Sequence, residues 1–424
     1  DGVLINDAGT MRMTKVDTLA TYVGTKVGGG GEQTFTAGAS ISAGALVGLL
    51  PNGTIKTMGA SSGSPNQMTN FSGNNAGYIQ ALTYDTTNNK VIYFYRDQAN
   101  SNFVTCRVGT LSGTSISFGT AVAISSVPQR MNATFDTAAG KAVCVYEDTD
   151  NSQNGYAVVV NVSGTTPTFG TPVEFSGVDC ASLDACFDSN SNKVVIAYKA
   201  SSQGRCRVAT VSGTSISYGT EATFTTSSPL TGNFVNMAIE FDSNANKVVI
   251  QWTDDGASGD PGTAIVGTVS GTNISFGTAA VFSTSLVNHN VLAFDSNANK
   301  FLHVYAKSGA IQCRVGTVSG TDISFGTEKS LTNFSGDYAS AVTFDSNTNQ
   351  MVVFFEALTT HSGTVIKGQI SGTDFFAGSP ITFAEFNVLV GNIVFDPDTN
   401  QCICAYRDDR GNDLFLSVFN SGNP

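Results

Sequence analysis

The chain of 424 residues is 41% hydrophobic but only 13% charged, and its net charge is -12. That acidity excludes a basic face for nucleic acid. No apolar run reaches the length of a membrane span, so neither nucleic-acid binding nor membrane insertion is expected. Gly, Ser, Thr and Asn take the places that charged residues usually hold, the composition of an all-β chain rich in tight turns.

The sequence starts at Asp1 rather than Met, so we expect a processed chain or a piece of a longer one. Residues 1–30 read as a stem or linker module: a hairpin from Val3–Asp7 and Met11–Val16, a short helix over Thr18–Val23 capped by Asp17, and a break at Gly28–Gly31. Residues 31–60 hold a hairpin in which Val47–Gly59 aligns with Val315–Gly326.

From about residue 61 the chain is repetitive. A phrase best seen as Phe241-Asp-Ser-Asn-Ala-Asn-Lys-Val-Val-Ile250 recurs seven times, with its aspartates at 85, 136, 188, 242, 295, 345 and 396, spaced 51, 52, 54, 53, 50 and 51 residues apart. A period near fifty means a repeat architecture. Each copy predicts four strands, here A to D. Strand A is short and ends at the phrase (Met237–Phe241). Strand B is the wholly apolar run after it, so it must be covered on both faces. Strands C and D form an outer hairpin around Ser-Gly-Thr, at Ser112, Ser163, Ser212, Ser270, Ser319 and Ser371. Seven such units predict an all-β, seven-bladed β-propeller of four-stranded antiparallel blades over residues 31–424. The last repeat stops at Ser421-Gly422, where strand D should begin. The N-terminal hairpin of 31–60, near Thr54–Met58, is expected to supply that strand and close the ring, because an open last blade would leave an unpaired edge.

Little of the repeated sequence points to chemistry. The phrase opens like a calcium loop, yet each copy has few carboxylates and no Glu to complete a cage, so it reads as a hairpin turn. Cys106, Cys206 and Cys313 hold the same place in three repeats and are too far apart to pair. Cys402 and Cys404 share a strand and point to opposite faces, so only Cys180 and Cys186 are close enough in sequence for a disulfide to be considered. His289, His303 and His361 fall in different repeats, and His303 lies inside an apolar strand. No nucleophilic triad, zinc set or phosphate loop can be assembled. We expect no catalytic residues, no metal and no cofactor.

The A–B and C–D turns are nearly constant and share one side of the ring. The B–C and D–A loops share the other side and diverge, which is where binding usually resides on a rigid scaffold. Each B–C loop follows an aromatic: Tyr95, Tyr146, Tyr198, Trp252, Tyr305, Phe355 or Tyr406. These rings form either the base of a ligand site or packing between blades. Candidate ligand-binding residues on this variable side are Tyr95, Arg96, Asp97, Glu147, Asp148, Trp252, Asp254, Asp255, Asp260, Arg407 and Asp408, with Asp254, Asp255 and Asp260 the densest cluster.

Asp1–Asp7 and Val16–Leu19 resemble the short modules that precede head domains in bacteriophage tail-fibre and related virion proteins. Ala37–Gly44 through Asn52–Thr54 resembles a hairpin common near such heads, and the Asp-x-x-x-Asn-Lys turns resemble those of propeller blades in extracellular and phage proteins. The resemblance implies a tail-fibre-like receptor-binding or adhesion head on the virion surface. It would be extracellular and non-enzymatic, often a homotrimer, and would contact a host cell-surface glycan or protein. It would meet other virion proteins through a preceding part. A propeller glycan hydrolase or lyase, and a structural virion or bacterial surface protein, are the alternatives.

Overall fold

The computed structural model describes the main chain at 3–7, 10–14, 47–49, 55–57, 66–70, 76–229, 237–332, 338–357, 361–384, 388–408 and 413–420. The expected helix at 18–23, the break at 28–31, the first part of the hairpin at 31–46 and the chain end from 421 lie outside these residues. The chain divides into two compact units, Asp1–Gly63 with Asn423–Pro424, and Ser64–Gly422. In the first, Val3–Asp7 pairs antiparallel with Thr10–Thr14, and Val47–Leu49 pairs with Ile55–Thr57.

The second unit is built from antiparallel sheets, each headed by one copy of the phrase. In the fourth repeat, Met237–Asp242 pairs with Lys247–Thr253, which pairs with Pro261–Ser270, which pairs with Asn273–Phe276 and Ala280–Leu286. Strand D thus comes in two pieces, a pattern that recurs in the first, third, fifth and sixth repeats. Between the second and third repeats the outer and inner strands run together as one strand, Val173–Asp188, which pairs first with Asn154–Ser163 and then with Lys193–Ala200.

The turns are constant because backbone geometry dictates them. In each phrase the aspartate carboxylate accepts main-chain N–H groups of the turn; Asp242 Oδ1 takes those of Asn244 at 2.9 Å and Ala245 at 2.7 Å. The residue before strand B is left-handed: Asn89, Asn192, Asn246, Asn299, Asn349 and Asn400 have φ between 53° and 57°, and Gly140 stands there in the second repeat at 61°. Asn and Gly adopt this region most readily. Two turns also reach the next repeat, Asn244 Nδ2 donating to Ser296 O at 3.0 Å and Asn347 Nδ2 to Pro397 O at 2.7 Å. The glycine of each described Ser-Gly-Thr turn has positive φ, as at Gly213 (62°), at the first central place of a two-residue hairpin loop. The later Phe/Tyr-Gly-Thr exists for a different reason. A Cβ at Gly219 would sit 1.8 Å from the carbonyl oxygen of Thr272, in the Ser-Gly-Thr turn of the following repeat.

The core lies between repeats rather than within them. Strand B explains how: in Lys193–Ala200, Val194, Ile196 and Tyr198 pack toward the second repeat, while Val195 and Ala197 pack toward the fourth. Alternating side chains thus enter two different cores, which is why the run is apolar throughout. Of seven apolar clusters, six join consecutive repeats, and the seventh joins Leu82, Tyr84 and Tyr93 of the first to Ile403, Leu416 and Val418 of the last.

The strand beside the last repeat is not the expected one. Asp413–Asn420 pairs antiparallel with Asn66–Asn70, with Phe415 opposite Asn70 and Leu416 opposite Thr69. The expected partner, 54–58, instead contributes Ile55–Thr57 to its own hairpin. The physical reason is connection length: Asn66–Asn70 lies directly before the first inner strand, Ala76–Asp85, as each strand D lies directly before the next strand A.

Candidate functional site

Antiparallel alternation places the phrase turns and Ser-Gly-Thr turns at one end of every sheet and the B–C loops at the other. The aromatic residues ending strand B are buried there, not displayed: Tyr95 is 3% exposed, Trp252 1%, and Tyr146, Tyr198, Tyr305 and Tyr406 0%. Four of the rings pack against a phenylalanine from strand D of the preceding repeat, whereas Tyr95 stacks on Tyr93 and Tyr146 on Tyr156. The phenylalanine pairs are Phe175 with Tyr198 at 5.0 Å between ring centres, Phe224 with Trp252 at 5.1 Å, Phe282 with Tyr305 at 5.0 Å and Phe383 with Tyr406 at 5.4 Å. Tilted pairs at this spacing each contribute about 1 kcal/mol beyond the area they bury. Of the two readings of these aromatics, packing between repeats is the one that the burial of Tyr95 and Trp252 supports.

The polar candidates divide into buried and accessible groups. Asp148 is 1% exposed and organises the main chain: Oδ1 accepts the N–H groups of Asp150 at 3.2 Å and Val127 at 3.3 Å, and Oδ2 accepts Asn151 Nδ2 at 2.7 Å. Arg407 is also buried. Arg96 is half-buried, its Nε donating to Asn102 Oδ1 at 3.2 Å, and the half-buried Asp97 accepts Ala99 N at 3.1 Å. In the longest loop Asp254 holds the chain in place, accepting from Ser227 Oγ and from Gly256 N. Asp260 is half-buried with φ 47°, and Asp255 is exposed. These three share a loop, but only Asp255 points freely to solvent. The side chain of Asp408 and residues 358–360 and 409–412 of two other loops lie outside the described residues.

One register position unites residues that reading loop by loop did not connect. The residue immediately after the strand-B aromatic is Arg96, Glu147, Lys199, Thr253, Ala306, Glu356 or Arg407. Four of the charged ones are nearly inaccessible: Glu147 0%, Glu356 1%, Arg407 3% and Lys199 8%. A charge removed from water destabilises the fold unless it is paired. Glu147 pairs with Arg130, which lies opposite it on strand A, and Glu356 pairs with His361 at 3.0 Å. Burial pushes the Glu147 carboxyl up, and Arg130 partly offsets that; burial pushes the Lys199 ammonium down, and Asp255 and Asp179 partly offset that. Lys199, Glu356, Arg130 and Asp179 were not among the sequence candidates. Aligning the repeats on the strand-B aromatic would have found the first two.

Other titratable groups serve the scaffold. His303 is fully buried, its Nδ1 2.6 Å from Gln251 Oε1, and burial lowers its pKa to about 3. Asp184, on an inner strand, accepts the N–H of Ala185 at 2.8 Å and, across to the next repeat, that of Ile239 at 2.9 Å; burial raises it to about 7. Cys180 and Cys186 do not form a disulfide, and like the other cysteines they are buried. Each aspartate of the seven phrases is at most 3% exposed and spends Oδ1 on turn N–H groups, so the calcium-like spacing has a structural cause.

No protein-family signature matches the chain. No curated protein is similar to it in sequence. Solved structures do resemble it. The β-propeller domain of Cps50 (Swd1) from Myceliophteria thermophila is similar with a TM-score of 0.50 and 7% identity, covering 82% of this chain and 99% of that one. A functionally unknown protein from Desulfotomaculum acetoxidans is similar with a TM-score of 0.51 and 9% identity, over 75% of this chain and 92% of that one. At such identities the likeness concerns the fold alone, and the fold it indicates is a β-propeller.

Proposed function

We propose that the chain is a non-enzymatic receptor-binding or adhesion head of the kind carried by a virion fibre. In this reading it is a seven-bladed propeller whose last blade is completed by Asn66–Asn70, and it binds a host surface glycan or protein through its loop side. The ring rests on the shared apolar clusters, including the one between the first and last repeats, and on Asn392 Nδ2 lying 3.5 Å from Gln80 O, a contact from last repeat to first. The virion setting rests on the resemblance of residues 1–58 and of the repeated turns, and with it come a surface location, a homotrimer and contacts to other virion proteins.

The observation that carries the binding reading is the contrast between the two ends of the sheets. The constant turns are explained by main-chain geometry. The divergent loops are not, and beneath them the sequence keeps charged side chains at a buried position. Charged groups retained where burial disfavours them are candidates for function. The test is to incubate the protein with intact host cells and with purified host polysaccharide. Bound, undegraded chains or saturable cell binding support the reading. Shortened chains would replace it with a hydrolase or lyase, and no interaction at all would leave a structural role.

A further inference from the structure

We propose that the loop-side end of the second, third and fourth repeats takes an uncharged, hydroxyl-rich saccharide unit, with Lys199 and Glu147 as its polar contacts. This deepens the binding reading above and rests on it. Lys199 ends the apolar strand Lys193–Ala200 and is 8% exposed. Its ammonium makes no hydrogen bond or ion pair among the described residues; the charges acting on it are Asp255, Asp179 and Arg130. Glu147 is 0% exposed, and although one of its oxygens meets Arg130, the other, Oε1, is buried with no partner. A buried polar group without a partner costs on the order of 1–3 kcal/mol, more when charged. Glu147 Oε1 is such a group, and on the adjacent repeat the Lys199 ammonium, without a hydrogen bond among the described residues, feels the same two neighbouring charges, Asp179 and Arg130.

The chemistry narrows the ligand. Lys199 needs an acceptor and Glu147 Oε1 needs a donor, and a hydroxyl group offers both. Arg130 and Lys199 set against Glu147, Asp179 and Asp255 give two positive and three negative charges, a balance that disfavours a carboxylate, sulfate or phosphate. A simple cation would leave Lys199 without its acceptor. Asp179 and Asp255 are exposed at the rim, where they accept further hydroxyls. A protein partner needs an apolar centre with aromatic anchors, and Val178, 40% exposed, is the one exposed large hydrophobic near these residues among those described.

The experiment uses the whole chain. Saturation-transfer NMR and calorimetry are run with neutral hexose and N-acetylhexosamine oligosaccharides, and with their uronate-bearing, sialylated and sulfated counterparts. Binding to host cells is measured in parallel. A neutral oligosaccharide should bind, and Lys199→Met should weaken it about tenfold or more, with partial rescue by Lys199→Arg. Glu147→Gln should weaken it too, and because that change also disturbs Arg130, its melting curve is recorded alongside. Asp322→Asn, on the turn side, should leave binding unchanged. Undiminished binding by Lys199→Met, a preference for acidic saccharides, or cell binding that survives removal of surface glycans would overturn the proposal while leaving the adhesion reading intact. Absence of both cell and saccharide binding would overturn the two together.

Discussion

The phrase turns and the B–C loops sit at opposite ends of the same strands, and they use the same residue types for different ends. At the turns, buried aspartates such as Asp242 accept N–H groups two and three residues further into the turn, so repetition follows from local backbone demand. In the loops, Asp148 and Asp254 do comparable work, but each with a different partner set, and Asp255 does none of it. Constancy in this chain therefore marks geometry, and divergence marks the places where geometry left the sequence free.

The contrast assumes that all repeats share one scaffold, and the largest predicted effect tests that assumption. Deleting residues 64–75 removes the strand opposite Asp413–Asn420 and exposes the edge of the last sheet. We expect aggregation or a fall in melting temperature of roughly 10 °C or more. Deleting 1–63 should leave the melting of the remaining unit within a few degrees. A deletion of 64–75 that melts like the intact chain would show that the sheets do not depend on that strand.

A second effect concerns the inner strands, which belong to neither end. Burial raises Asp184 from 3.8 to about 7 and the half-buried Glu240 from 4.5 to about 7. For a carboxyl raised on folding, its stabilisation is full below the unfolded value, near pH 4, and is lost as pH rises through about 7. His303 and His289, lowered to about 3 and about 4, act in the other direction: their contribution is full above about 6.5 and is lost as pH falls. Raising the pH from 5 to 8 should therefore destabilise the wild type relative to Asp184→Asn, on the order of 1–2 kcal/mol, read by urea denaturation at each pH. An identical slope in both proteins would remove Asp184 from the account.

How much of this was legible in the sequence depended on whether local rules or distant neighbours decide a residue's place. The repeat length, strand B and the phrase turns follow from period, two-sided burial and the left-handed place held by Asn246 or Gly140, all visible in a few residues. The strand beside the last repeat was misplaced by about ten residues, because 54–58 matches the right pattern while Asn66–Asn70 has the right connection to Ala76–Asp85. The aromatics at the end of strand B could be read as a ligand base or as packing between blades, and the sequence did not decide between them because the phenylalanines that cover four of them, such as Phe224 on Trp252, lie some thirty residues away. The buried charges were partly named, as Glu147 and Arg407, but read as loop residues; only their common register shows that they share a position.

Smaller effects separate the two ends directly. Asn246→Ala should cost about 1 kcal/mol, because alanine resists the left-handed region, whereas Asn246→Gly should be close to neutral, as Gly140 in the second repeat shows that glycine serves there. Asp242→Ala removes a buried acceptor from two N–H groups of the turn and should cost about 1–2 kcal/mol. Asp255→Ala removes the same side chain from an exposed loop position with no turn to hold, so its effect on stability should stay within about 0.5 kcal/mol. Its effect should appear instead in binding, through the charge it places near Lys199. If denaturation shows equal losses for Asp242→Ala and Asp255→Ala, the loop is part of the scaffold and divergence has been misread as freedom. If Asp255→Ala is silent in denaturation yet alters binding, the two ends of the strands are under different constraints, with stability written at one and recognition at the other.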